Sequence, residues 1–229
     1  MEAEQGPMEG MGRMKKYVFF DLDGTLIQSE FGIFESARYA LQKLNIEESD
    51  DSTLRLMIGP PLYVSFRDLF GMDDNMAIEA VRLYREYYEE TGLYKSPLYD
   101  GVMEALTELK NSGAVLAVVT GKPEDISIRI LKYLKIFDMF DTVSGPDKKS
   151  TDPKKVDLIL RAINALHIEK SDYENVIMVG DRHFDIEGAK EAGIASIGVL
   201  YGYGSREELV TAGADMIVNN VKELVEVIQ

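Results

Sequence analysis

The sequence contains no cysteine and no tryptophan, and only two of its 229 residues are histidine. Without cysteine, disulfides, cysteine-ligated zinc and thiol catalysis are excluded, and a cytoplasmic protein is expected. Basic residues are also scarce: 25 Lys and Arg stand against 40 Asp and Glu, a net charge of −15. Nucleic-acid binding is therefore not expected. No apolar run reaches the roughly 18 residues of a membrane span, so no membrane partner is expected.

The hydrophobic pattern divides the chain into three parts. The first part is rich in Glu, Gly and Met, and this composition predicts a disordered extension before Met14. The next stretch shows apolar residues at helical spacing and no strand pattern, which predicts an all-helical insert. The last stretch alternates continuous apolar runs, such as Ala114–Val119, with helical patterns, which predicts an α/β fold with a mostly parallel, doubly wound sheet. The predicted boundaries are 1–13 for the extension, 14–28 and 98–229 for the α/β core, and 29–97 for the helical insert.

The pentapeptide Asp21-Leu22-Asp23-Gly24-Thr25 closes the first apolar run. In extended chain, Asp21 and Asp23 point to the same side, and two carboxylates so close need a cation or a shared proton. Gly24 allows a sharp turn that leaves backbone N–H groups able to face an anion. The pentapeptide therefore indicates a divalent metal and a phosphate.

Further polar residues follow other predicted strands, and ligands of such sheets bind at the carboxyl ends of the strands. Thr120 and Gly121 offer a hydroxyl and a backbone N–H for a phosphate, and Asp181 and Asp185 offer carboxylates. Oxygen ligands alone suit Mg²⁺, so the expected ligands are Asp21, the Asp23 main-chain carbonyl, Asp181 and Asp185. A lysine is expected near the start of the helix that follows the third strand. Lys154 and Lys155 are the two candidates.

These features occur in an order that resembles the four motifs of the haloacid dehalogenase superfamily. The ordered set comprises the Asp-Leu-Asp-Gly-Thr pentapeptide, the threonine at a strand end, the downstream lysine and the Gly-Asp-x-x-x-Asp sequence that begins at Gly180. The resemblance covers about residues 15–229 and is nearest to the phosphoglycolate phosphatase-like branch. It implies a Rossmann-like core with a helical cap at the position of the insert. Lys155 fits the lysine motif slightly better than Lys154.

The resemblance also implies roles for the residues. Asp21 is the expected nucleophile, which forms an aspartyl phosphate, and Asp23 is the expected general acid and base. Thr120 and Lys155, with Lys154 as the alternative, are expected to complete the catalytic set. The phosphate-binding set is expected to be Gly24, Thr120, Gly121 and Lys155.

The predicted function is a Mg²⁺-dependent phosphatase acting on a small phosphorylated metabolite, phosphoglycolate-like or a 5′-nucleotide, as a monomer or homodimer. A phosphomutase or phosphotransferase of the same superfamily and an inorganic pyrophosphatase remain as alternatives. A receiver-like signalling domain and a non-catalytic phosphate-binding module are more remote. Arg55 and Arg67 in the insert, and His183 beside Asp181, are secondary candidates whose roles the sequence leaves open.

Overall fold

The computed structural model describes residues 16–47, 50–147 and 154–229, so the predicted extension at 1–13 lies outside the described residues. In the described chain, six strands form one sheet and a helix follows each strand. The strands are β1 (Tyr17–Phe20), β2 (Val115–Val119), β3 (Thr142–Ser144), β4 (Val176–Gly180), β5 (Ala195–Val199) and β6 (Met216–Val218). The helices are α1 (Glu30–Lys43), α2 (Asp51–Arg55), α3 (Leu62–Phe70), α4 (Asp74–Glu90), α5 (Val102–Asn111), α6 (Glu124–Tyr133), α7 (Lys155–Ala165), α8 (His183–Ala192), α9 (Arg206–Ala212) and α10 (Val221–Ile228).

The sheet has the strand order β3-β2-β1-β4-β5-β6, and every neighbouring pair is parallel. The central strand β1 lies between β2 and β4, with Phe20 opposite Val118 on one side and Val179 on the other. The predicted α/β fold with a doubly wound sheet is thus confirmed. The parallel pairing brings the carboxyl ends of β1, β2 and β4 together at one edge.

Helices cover both faces of the sheet, which explains why its strands are continuously apolar. All four residues of β1 are buried. Val18 and Phe20 pack into the larger core cluster on one face, while Tyr17 and Phe19 pack into a second cluster on the other face. A strand buried on both faces has no need for alternating polar residues.

A helical insert separates β1 from α5. It contains α1 to α4 and a short 3₁₀ helix, Gly92–Lys95, and the described residues between 29 and 97 include no strand. The two chain segments that join the insert to the core lie side by side, because the Gln28 N–H donates to the Pro97 carbonyl at 2.8 Å. The insert is therefore attached to the core through one narrow double connection.

No helix in the described ranges combines the length and the apolar composition that crossing a membrane requires.

Candidate active site

The end of β1 places Asp21 at the centre of the polar sheet edge. The Asp21 N–H donates to the Val179 carbonyl of β4 at 2.9 Å, which extends the strand pairing by one residue. The chain then turns at Gly24, whose φ is +85° and whose N–H donates to the Ile27 carbonyl at 2.9 Å. A Cβ at Gly24 would collide with the Asp181 carboxylate. Glycine is thus required here both by backbone conformation and by the close approach of the carboxylate.

Three carboxylates from two strand ends converge beneath this turn. Asp21, Asp181 and Asp185 are 8%, 0% and 2% exposed, and each offers an oxygen within 4.8 Å of the others. Asp181 follows β4 directly, and Asp185 lies in the first turn of α8. The Asp181 carboxylate accepts hydrogen bonds from the Tyr203 N–H at 2.7 Å and from the Thr25 hydroxyl at 3.4 Å. The sequence prediction that these three carboxylates lie together therefore matches the geometry.

Lys155 is the cation of this cluster. Its Nζ lies 2.8 Å from Asp21 Oδ1 and 2.6 Å from Asp185 Oδ1, and it donates to the Val119 carbonyl at 3.1 Å. The aliphatic part of the side chain packs on Gly188, where a Cβ would come within 2.8 Å of Lys155 Cγ. Lys154, the other candidate, is exposed at the N-cap position of α7. The geometry therefore places Lys155, and not Lys154, in the cluster.

The electrostatics of the cluster favour an additional cation. Burial raises the pKa of Asp21 to about 6, although Lys155 opposes this shift. Burial, together with the charges of Asp185 and Asp21, also raises the pKa of Asp181. Burial disfavours the charged form of Lys155, but Asp185 and Asp21 outweigh it and raise its pKa. One lysine thus leaves the three carboxylates incompletely compensated.

The surroundings of Asp185 Oδ1 show the same incomplete compensation of negative charge. Among the described residues, this buried oxygen has no hydrogen-bond partner beyond the Lys155 Nζ, with which it forms an ion pair at 2.6 Å. Carboxylate oxygens that converge in this way are the usual ligands of hard divalent cations. The residues present therefore fit a divalent metal held by Asp21, Asp181 and Asp185.

Asp23 lies apart from these three carboxylates and pairs with a different lysine. Lys122 Nζ is 2.8 Å from Asp23 Oδ1 and 2.6 Å from Oδ2, and the two side chains are 9% and 19% exposed. The Lys122 ammonium also lies 5.1 Å from the centre of the Tyr88 ring of α4. Burial opposes the charge on Lys122, but the Asp23 carboxylate outweighs it and raises the pKa of the lysine. The sequence analysis gave Lys122 no role.

The end of β2 contributes the predicted hydroxyl. Thr120 is 1% exposed, and its N–H donates to the Ser144 carbonyl of β3 at 2.9 Å. Its hydroxyl accepts from the Lys122 N–H at 3.2 Å. Gly121 follows it in an exposed position with open space on its Cβ side. Since β2 lies next to β1, Thr120 and Gly121 lie at the same sheet edge as Asp21.

A tyrosine loop after β5 also reaches this edge, and the sequence prediction missed it. The loop has the sequence Tyr201-Gly202-Tyr203-Gly204. A Cβ at Gly202 would collide with the Gly24 carbonyl and with Asp181. The Tyr201 hydroxyl donates to the Thr25 carbonyl at 3.1 Å. The carboxyl-end rule, applied to the strand that precedes this loop, could have found it.

Arg182 connects the core to the insert, and His183 shares its core partner Glu208. Arg182 donates to Glu208 at 2.8 Å and to the Ile58 carbonyl of the insert at 3.0 Å. His183 Nδ1 lies 2.7 Å from the same Glu208 oxygen that accepts its N–H. Arg182 is thus, like Lys122, a core residue that contacts the insert and had no predicted role.

The two insert arginines that the sequence analysis considered lie on the surface. Arg55 is exposed, and Arg67 pairs with its neighbour Asp68 at 2.6 Å. The structure does not bring Arg67 into contact with the carboxylate cluster.

Comparisons with known proteins agree with this geometry. The sequence model of the haloacid dehalogenase-like hydrolase family matches residues 18–199, which include Asp21, Asp23, Thr120, Lys155 and Asp185. The chain is 38% identical over 192 residues to a 5′-nucleotidase of Pseudomonas aeruginosa, covering 84% of this chain and 86% of that protein. It is 33% identical over 223 residues to a phosphoglycolate phosphatase of Vibrio vulnificus, covering 93% of this chain and 96% of that protein.

A solved structure of protein tyrosine kinase A from Mycobacterium tuberculosis is also similar. Its TM-score is 0.81 at 31% identity, and the superposition covers 95% of this chain and 99% of the other. The family match spans most of the chain, and it includes the strand ends that carry the carboxylates. The chain therefore belongs to the haloacid dehalogenase-like hydrolase family, in the branch of its phosphoglycolate phosphatase and 5′-nucleotidase relatives.

Proposed function

We propose that the protein is a Mg²⁺-dependent phosphatase that hydrolyses a small phosphomonoester through an aspartyl phosphate on Asp21. The observation that carries the proposal is the pairing pattern at the sheet edge. Asp21 forms an ion pair with Lys155 inside the carboxylate cluster. Asp23, two residues later, lies outside that cluster and forms an ion pair with Lys122. The two acids therefore have different surroundings, as separate nucleophile and proton-transfer roles require.

The reaction divides into two steps at these acids. A carboxylate oxygen of Asp21 bonds to phosphorus while the bond from phosphorus to the leaving oxygen breaks, and Asp23 gives that oxygen a proton. Water then attacks phosphorus, Asp23 takes the proton from that water, and the bond between phosphorus and Asp21 breaks. Phosphate leaves, and both acids return to their initial forms.

Lys155, Thr120 and Gly121 are proposed to bind the transferring phosphoryl oxygens. Charge on these oxygens must be stabilised in the transition state, and a buried ammonium beside the nucleophile does so without reorganisation. Gly24 is proposed to contribute to the phosphate site through its turn, which allows the close approach of the Asp181 carboxylate, since its own N–H is bonded to the Ile27 carbonyl.

Asp21, Asp181, Asp185 and the Asp23 main-chain carbonyl are the proposed Mg²⁺ ligands. When bound, Mg²⁺ would offset the repulsion between the Asp21 carboxylate and the phosphate dianion. The fit rests on the oxygen-only donor set and on the uncompensated charge of the cluster.

The proposed substrate is a small metabolite, because the helical insert, with proposed bounds 29–97, lies over the sheet edge as a cap. Arg182 touches this cap at Ile58, and Lys122 touches it at Tyr88.

Lys122 must leave Asp23 before that acid can protonate a leaving group, and an anionic group on the substrate would draw the lysine away. This favours a phosphoglycolate-like substrate, while the 5′-nucleotidase relative keeps 5′-nucleotides as the second class. The proposed setting is the cytoplasm, and the proposed state is a monomer or homodimer.

Phosphate release from p-nitrophenyl phosphate tests the mechanism. We expect release that requires Mg²⁺, is abolished by EDTA and falls at least about a thousandfold in Asp21→Asn. Asp100→Asn, a change at an exposed aspartate, is the matched control and should leave the rate unchanged. A metal-independent rate, or an active Asp21→Asn variant, would refute the proposed mechanism. A panel that includes phosphoglycolate, 5′-nucleotides, sugar phosphates and pyrophosphate then ranks the substrates.

The tyrosine kinase relative favours phosphotransfer as a second candidate function. Both functions begin with the same aspartyl phosphate, and they differ in whether water or another hydroxyl accepts the phosphoryl group. Incorporation of ¹⁸O from labelled water into the released phosphate, measured with and without a sugar or tyrosine-peptide acceptor, separates them. Transfer of the phosphoryl group to the acceptor in preference to water would establish the phosphotransferase.

A further inference from the structure

We propose that Tyr203 is a positioning residue that couples metal occupancy at Asp181 to the position of the helical insert. One end of this residue contacts the proposed metal site, and the other end contacts the first helix of the insert. The metal side of the proposal rests on the proposed function.

The backbone of Tyr203 holds the metal-site carboxylate. Its N–H donates to Asp181 Oδ2 at 2.7 Å. The loop also packs directly on Asp181, because Gly202 lies so close to Asp181 and to the Gly24 carbonyl that not even a Cβ would fit between them. A shift of the Asp181 carboxylate therefore moves the backbone of Tyr203.

The side chain of Tyr203 holds the start of the insert. Its hydroxyl accepts from the Ser29 N–H at 2.8 Å and from the Glu30 N–H at 3.1 Å. These are N–H groups at the N-terminus of α1, which have no partner within the helix. The Ser29 side chain does not cap its own helix, so the tyrosine hydroxyl takes that role from 174 residues away.

The position of these contacts suits control of the insert. Ser29 and Glu30 directly follow Gln28, where the chain crosses from the core into the insert beside Pro97. A rigid aromatic ring thus spans from the carboxylate cluster to the connection about which the insert would move. A metal that fixes Asp181 fixes Tyr203, and Tyr203 then fixes the start of α1. By linkage, an insert held in this position strengthens metal binding to the same degree.

Tyr203→Phe separates the two ends of the residue. The variant keeps the backbone N–H to Asp181 and the ring, and it loses the hydroxyl contacts with the insert: those with the Ser29 and Glu30 N–H groups and a 3.4 Å contact with the Ser29 hydroxyl. Tyr201→Phe is the matched control: it removes a hydroxyl from the same loop, whose partner is the Thr25 carbonyl of the core. A general loosening of the loop would appear in both variants, whereas loss of the coupling would appear only in Tyr203→Phe.

The test is amide hydrogen exchange of the full chain with and without Mg²⁺, read in peptides that cover residues 26–34. We expect Mg²⁺ to slow exchange of the Ser29 and Glu30 amides about fivefold or more in the wild type and in Tyr201→Phe, as one hydrogen bond per amide allows. In Tyr203→Phe the metal should change this exchange less than about twofold. Calorimetric titration of Mg²⁺ into each protein measures the binding itself.

Three results would overturn the coupling. Equal slowing in Tyr203→Phe, or loss of slowing in Tyr201→Phe as well, would show that Tyr203 is not the link. Calorimetric Mg²⁺ binding to the wild type without slowed exchange would remove the coupling and leave the proposed phosphatase intact. Absence of Mg²⁺ binding to the wild type would overturn both proposals.

Discussion

Replacing Lys155 with Met tests the charge arrangement of the site most directly. The substitution removes an ammonium that lies 2.8 Å from Asp21 and 2.6 Å from Asp185. Methionine keeps a similar length and apolar stem, so packing against Gly188 is preserved. The cluster then has three buried carboxylates and no lysine. Lys154→Met is the matched control, because Lys154 is the preceding residue and is exposed.

Two separate effects follow from this change, one on the reaction rate and one on the stability. Loss of a preorganised cation at the transferring phosphoryl oxygens costs about 3–4 kcal/mol of transition-state stabilisation, a fall in kcat of about 10²–10³. Removing one partner of a buried ion pair lowers the free energy of unfolding by about 3–5 kcal/mol. For a domain of this size that corresponds to a fall in Tm of roughly 6–20 °C. Saturating Mg²⁺ should recover part of the stability, since it supplies positive charge, and little of the rate.

The assays are steady-state phosphate release at saturating Mg²⁺ and calorimetric unfolding with and without the metal. Lys154→Met should stay within about twofold of wild type in rate and within about 0.5 kcal/mol in stability, as is usual for surface changes. A Lys155→Met variant with kcat within tenfold of wild type would refute the assignment of Lys155 to the phosphoryl oxygens. An equal loss in Lys154→Met would refute the placement of Lys155 as the cation of the cluster.

Three further changes probe the residues around this cluster. Asp23→Asn should lower kcat about 10²–10⁴-fold for alkyl phosphates and much less for p-nitrophenyl phosphate, whose leaving group needs no proton; an equal effect on both substrates would contradict the acid role. Lys122→Met should lower kcat/KM for phosphoglycolate about tenfold or more relative to p-nitrophenyl phosphate, and an unchanged ratio would remove the anion preference. Burial opposes the charge of Glu208, but hydrogen bonds from His183 and Arg182 outweigh it and lower its pKa to about 2. Its stabilisation is therefore present above about pH 4.5 and lost as pH falls towards 2. Since the side chain is partly solvated, the unfolding free energies of wild type and Glu208→Gln should differ by about 1 kcal/mol at pH 7 and converge in acid, while the exposed control Glu207→Gln shows no such gap.

The fold could be predicted because its signals are local. Continuous apolar runs marked β2 and β4, since both faces of the sheet are covered, and 3.6-residue periodicity marked the flanking helices. The mostly parallel, doubly wound sheet followed from the alternation of strands and helices with right-handed crossovers. Helix starts give weaker signals, as at α8, which begins at His183 in the structure although its buried apolar residues begin only at Ile186. Its first turn is polar because it carries Asp185 to the site.

The candidate site could be predicted where a motif residue and a strand end coincide. Asp21, Thr120 and Asp181 each follow a strand, so the carboxyl-end rule alone brings them together. The choice between Lys154 and Lys155 needed the direction in which α7 leaves β3, which spacing does not give. Only the three-dimensional register shows that Lys155 lies over Gly188 and faces the carboxylates.

The contacts with the insert were beyond sequence reasoning because they join residues far apart in the chain, yet they follow one pattern. Arg182 follows Asp181, Lys122 lies two residues after Thr120, and Tyr203 donates directly to Asp181. The ends of β2 and β4 thus each present one residue to the proposed chemistry and a near neighbour to the insert, and Tyr203 after β5 contacts both. A movement of the insert is therefore transmitted to the sheet edge through only one or two peptide units. Substitution of Tyr88, whose ring lies beside Lys122, should for this reason change turnover as well as substrate binding.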